Sequence, residues 1–100
     1  MVKHIVTWSF KEEISEADKP ALLAGMQSNL EGLVGEVPGL LRAKFYKEIL
    51  GSSTHEMAFV ADLEGPEELA GYNLHPAHVK VADTYVRPFV GARSCLDYVE

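Results

Sequence analysis

An α+β fold of order β-α-β-β-α-β is predicted by three observations. Residues 2–10 alternate apolar and mixed side chains with a period of two, and residues 55–63 repeat that pattern. An apolar stripe at helical spacing follows each of these strands. At 100 residues the chain holds one domain, spanning 1–100.

In the opening strand Val2, His4, Val6, Trp8 and Phe10 point one way, and Lys3, Ile5, Thr7 and Ser9 the other. Its β-branched and aromatic content suits a pleated, half-buried surface. Lys11-Glu12-Glu13 is a polar exit. Ser15 with Asp18 three residues on, or Asp18 itself ahead of Lys19-Pro20, then caps a helix. Leu22, Met26, Leu30, Leu33 and Val37 form its apolar stripe, widened by Leu23 and Val34. Gly25, Gly32 and Gly35 each weaken it by up to about 1 kcal/mol, so packing must hold it. Val37-Pro38-Gly39 is its stop signal.

Leu40 to Leu50 forms the second strand, with Leu41, Ala43, Phe45 and Ile49 inward. Gly51-Ser52-Ser53 turns into the third, His55 to Leu63, whose inner face is His55, Met57, Phe59, Ala61 and Leu63. Glu64-Gly65-Pro66-Glu67-Glu68 opens a second helix, since proline fits a first turn and acids suit the helix dipole. It runs to about Asn73, where Pro76 interrupts it by biasing His75 out of the α region. The helical pattern resumes, with His78, Ala82 and Tyr85 on one face, until Arg87-Pro88 ends it. Ala92 to Glu100 is the last strand, read with Leu96 inward and Cys95 and Val99 outward.

With short connections and right-handed crossovers, this order gives the ferredoxin-like arrangement: a four-stranded antiparallel sheet with two helices on one face. The other face carries Ile5, Ala58, Val60, Cys95 and Val99 on this reading. An exposed apolar sheet face marks an interaction site. The expected cover is a second copy, sheet against sheet, in a two-fold homodimer.

Composition excludes several classes. Nine basic residues against 15 acidic ones give a net charge of −6, a field that repels phosphate backbones and argues against nucleic-acid binding. No run of 18 apolar residues is present to span a membrane. Cys95 is the only cysteine, so no intrachain disulfide forms. The N-terminus shows no cleavable signal pattern, and the expectation is a cytoplasmic protein. There is no glycine-rich phosphate loop and no serine nucleophile elbow, so no cofactor is expected.

Taken together, VKHIVTWSFKEE, VPGL after the first helix, YNLHPAHVKVAD and the terminal LDYVE resemble the stress-responsive dimeric A/B barrel family over nearly the whole chain. The resemblance implies a ferredoxin-like protomer that pairs through its sheet into a dimeric α+β barrel. Members include plant stress proteins and a plant enzyme that closes a polyketide by aldol condensation. The resemblance places that enzyme's histidine and tyrosine on His78 and Tyr72, and its strand-one histidine on His4. Its strand-three histidine falls on Met57, with His55 two residues earlier on the same face.

The space between sheet and helices is expected to be lined by His4, Val6, Trp8, Met26, Phe59, Tyr85 and Leu96. An apolar chamber with a few polar groups is the profile of a small-molecule pocket; the alternative is a filled core. His78 is the candidate base and Tyr72 the candidate oxyanion donor. The competing structural role for His78 is a hydrogen bond to a carbonyl freed by the helix break. His75-x-x-His78 offers too few converging ligands for zinc, so no metal is expected. The function expected is a small-molecule-binding or stress-related homodimer. The alternative is a cofactor-independent cyclase or lyase, or a monooxygenase or isomerase on the same fold.

Overall fold

In a computed structural model describing residues 1–100, strand β1 (Val2–Phe10) buries every second side chain, from Val2 through His4, Val6 and Trp8 to Phe10. It is central, pairing antiparallel with β3 (Met57–Leu63) on one side and β4 (Val90–Val99) on the other. Strand β2 (Leu40–Tyr46) lies outside β3, so the sheet order is β2-β3-β1-β4. Helix α1 (Lys19–Glu31), helix α2 (Pro66–Leu74), helix α3 (Pro76–Val81) and a π-helical turn (Ala82–Val86) supply the second layer. The predicted α+β ferredoxin-like protomer is the fold observed. No helix is long and apolar enough to cross a membrane.

The core lies between the layers. Met26, Leu30 and Leu33 pack with Val6, Phe45, Met57, Phe59, Leu63 and Tyr72. Helix α1 stops at Glu31, before its apolar stripe ends at Val37, and Asp18 occupies the N-cap position without a side-chain cap bond. Leu33 and Val37 remain buried beyond the helix because Gly35, at φ +93°, turns the chain back over the sheet. Gly39 has φ +82°, and a β-carbon there would collide with the Glu68 side chain.

Three facing assignments differ from the sequence expectation. A register shift between Leu40 and Arg42 turns Leu40 inward and leaves Leu41 exposed. His55 precedes β3 instead of belonging to it. In β4, Val6 faces Cys95, His4 faces Asp97 and Ile5 faces Leu96 across the ladder. Cys95, Asp97 and Val99 are therefore on the helix side, whereas Leu96 and Tyr98 share the reverse side with Ile5, Ala58 and Val60. β4 is an edge strand, exposed along nearly its whole length. Hydrophobicity therefore does not report which of its faces meets the core.

Met26→Ala is expected to cost about 2–5 kcal/mol of unfolding free energy, since its fully buried side chain would leave a cavity. Gly39→Ala should cost about 1–3 kcal/mol through backbone strain, and Leu74→Ser, at an exposed site, should stay within about 0.5 kcal/mol. Urea denaturation distinguishes the three.

Candidate active site

The site is organised by the break between α2 and α3. His75 precedes Pro76 and takes an extended conformation (φ −63°, ψ 132°), as steric conflict with the proline ring requires. Its Nδ1 accepts a hydrogen bond from the Ala77 N–H at 3.1 Å and caps α3. The break also leaves the Asn73 carbonyl without a helical partner, and His78 Nδ1 lies 3.3 Å from it. A carbonyl only accepts, so the Nδ1–H of His78 donates, and the neutral ring carries its lone pair on Nε2. Burial pushes the His78 pKa below its ordinary value; the Asn73 hydrogen bond opposes this, while Arg87, His4 and Arg93 add to the lowering. The bond that satisfies the broken helix thus fixes the tautomer a base needs.

Tyr72 sits beside it. The two ring centroids are 4.3 Å apart with planes tilted by 39°. On its other side Tyr72 meets His4 edge-on, with centroids 5.9 Å apart. Tyr72 is buried, and burial drives its phenol pKa far up, so it stays protonated and donates. Its hydroxyl makes no hydrogen bond within the chain and is not sealed from solvent, and Tyr72 lines the cavity. His4 is itself held through Nδ1 by the Asp97 carboxylate of β4.

These groups border a cavity of about 440 Å³. His4, Val6, Trp8, Phe59, Tyr72 and His78 line it, in the positions the sequence suggested. Three suggested residues do not. Met26 is sealed in the core, and Tyr85 is partly exposed with its ring beside Gly25 of α1. Leu96 is on the reverse face of the sheet, because β4 has the opposite parity to the one read from its apolar residues.

The wall also contains Leu30 and, passed over by sequence reasoning, Asn73, Val86, Arg87, Val90 and Arg93. Leu30 was visible as part of the α1 stripe. Val86 and Arg87 depend on the π-helical turn, in which the Arg87 N–H reaches back five residues to the Ala82 carbonyl at 2.8 Å. Such turns have no strong sequence signature and recur at functional sites. Arg93 and the supporting Asp97 required the register of β4. Their signal was positional: with Glu100 N bonded to Met1 O, the two strands pair from end to end and Asp97 falls opposite His4.

One further group has metal-ligand character. His4 Nδ1, Cys95 Sγ and an Asp97 oxygen all lie within 4.8 Å of one another. An imidazole, a thiol and a carboxylate are a donor set for a borderline divalent cation such as zinc. Hydrogen bonding among the same atoms, with Cys95 Sγ 3.7 Å from either Asp97 oxygen, accounts for their closeness without one. His75 and His78 do not converge on a common point, since each is bonded to separate backbone atoms.

By NMR, the His78 imidazole should titrate below 6.5 and carry its proton on Nδ1 when neutral. Well above a pH of about 6.5 the ring is neutral in both folded and unfolded chains, so it contributes no pH dependence. As the pH falls from there to the folded midpoint, only the unfolded chain binds the proton, and stability declines before levelling off. His78→Gln should lack that decline in pH-dependent urea denaturation.

Residues 2–100 match the Stress Responsive A/B Barrel Domain family. Among individual proteins, olivetolic acid cyclase from Cannabis sativa is 29% identical over 87 residues, covering 84% of this chain and 82% of the cyclase. Two solved structures show the same fold. A dimeric protein of ferredoxin-like fold from Bacteroides fragilis superposes with a TM-score of 0.88 at 20% identity, over 97% of this chain and 93% of that one. Hydroxynitrile lyase from Passiflora edulis superposes with a TM-score of 0.73 at 16% identity, over 97% and 90%. The family match extends over the three strands that line the cavity and the broken helix above them, and on that basis the chain belongs to the stress-responsive A/B barrel domain family.

Proposed function

We propose that this protein is a cofactor-independent acid–base enzyme of cyclase or lyase type, acting on a small carbonyl compound. One observation carries the reading. A neutral imidazole whose free Nε2 is set by the Asn73 hydrogen bond stands against a protonated phenol, and both border one cavity. His78 removes a proton from the carbon beside a carbonyl, and Tyr72 donates a hydrogen bond to the enolate oxygen that forms. In a ring closure the enolate carbon attacks a second carbonyl of the same molecule, and His78 returns its proton to the resulting alkoxide. In the lyase direction the same steps run backwards. The lowered pKa of His78 keeps the base available to more acidic pH than an ordinary histidine allows. The cyclase among its relatives supports the cyclising direction.

The protein acts as a homodimer on this reading. Leu96 and Tyr98 are exposed on the reverse face of the sheet beside half-buried Ile5, Ala58 and Val60. Similar structures are described as dimeric. Leu96→Lys should shift the sedimentation of the protein from dimer to monomer; an unchanged mass would place the interface elsewhere.

For the chemistry, deuterium incorporation at the methyl carbon of aryl methyl ketones in D2O, followed by mass spectrometry, is the direct assay. His78→Ala should slow exchange by about 10²–10⁴-fold and Tyr72→Phe by about 10²–10³-fold. Exchange unaffected by His78→Ala would overturn the reading.

A further inference from the structure

The charge distribution around the cavity is unlike that of the chain as a whole. The protein carries 15 acidic residues against nine basic ones, yet no aspartate or glutamate lines this cavity. Two of its three arginines, Arg87 and Arg93, do. Arg87 is already paired with Asp83 one turn away in the π-helical segment. Arg93 is in no ion pair within the chain. The nearest acidic group on its strand and face, Asp97, is two pleats away and hydrogen-bonded to His4.

Position along the cavity matters as much as sign. Tyr72 and His4 are almost completely buried, at 1% and 5% exposure, whereas Arg87 and Arg93 are exposed. The two arginines therefore mark the mouth, and Tyr72 and His4 the floor. Arg93 stands directly across the ladder from Trp8, whose ring lines the wall between the two ends. Both guanidinium groups are near enough to disfavour a proton on His78.

We infer that the cavity selects an anionic carbonyl compound, a keto acid, whose carboxylate is held at the mouth by Arg93 while its ketone reaches Tyr72. A guanidinium fork binds a carboxylate through two parallel N–H···O bonds, which also fixes the long axis of the ligand. An arginine with no carboxylate partner, in a lining that has no acidic residue, is the group such a ligand needs, and it sits on the cavity wall that the edge strand supplies. This inference rests on the acid–base reading for the position of the ketone, and on the charge distribution alone for the carboxylate.

The test compares 3-acetylbenzoate with its methyl ester, two probes that differ in charge at one end only. Trp8 is the only tryptophan, so its indole N–H resonance reports occupancy of this cavity without labelling individual sites. The acid should bind about tenfold more tightly than the ester, the scale of one charge-assisted hydrogen-bond pair. Arg93→Gln should abolish that preference, Arg93→Lys should restore part of it, and Arg87→Gln should change it less. Arg93 is exposed on an edge strand, so circular dichroism should show each variant folded. Equal binding of acid and ester, or a preference that survives Arg93→Gln, overturns the inference and leaves the acid–base reading standing. No shift of the Trp8 resonance with either probe overturns both.

Discussion

Because β1 is hydrogen-bonded on both edges, its side chains cannot exchange faces, and His4 is fixed in the buried row between Val2 and Val6. A buried imidazole needs a partner for its polar atoms, or its desolvation is left uncompensated. The register of β4 provides one, setting Asp97 across from His4 and Cys95 across from Val6. A slip of one residue would put Leu96 in place of Asp97 and reverse every side chain of the strand. The His4–Asp97 contact therefore ties the alignment of the edge strand to the floor of the cavity, and with it the position of Arg93 at the mouth.

The roof depends on one proline. Pro76 holds His75 in an extended conformation, frees the Asn73 carbonyl, and leaves His78 as the group that satisfies it. Burial then acts on the two facing rings in opposite chemical senses. It lowers the His78 pKa, which favours the neutral base, and raises that of Tyr72, which favours the neutral donor. On the proposed reading these two groups, whose environments push their pKa values apart, are the base and the acid. No charged partner is required for this; desolvation is the leading cause for each.

The parts of this arrangement that were legible in the sequence are those where burial alternates sharply. β1 and β3 each have one face under the helices, so period-two patterning assigned His4, Val6, Trp8 and Phe59 to the inside. The helix break was legible because the restriction before proline is local. β4 was misread for the converse reason. Neither of its faces is deeply covered within the protomer, and Leu96 and Tyr98 are apolar without being inward. Tyr85 was misplaced because a π-helical turn advances the chain by a different angle from the α-helix assumed for it. Cavity residues Arg87 and Arg93 followed from those two features, and Asn73 from the helix break, not from periodicity.

A ketone-sized ligand seen in place tests the central claim most directly. Crystals grown with acetophenone, a neutral aryl methyl ketone, should show it between Tyr72 and His78. Its oxygen should lie about 3 Å from the Tyr72 hydroxyl, and its methyl carbon should face the unprotonated Nε2 of His78. A ketone bound elsewhere on the protein, or a His78 ring turned so that Nε2 meets the Asn73 carbonyl, would contradict the account.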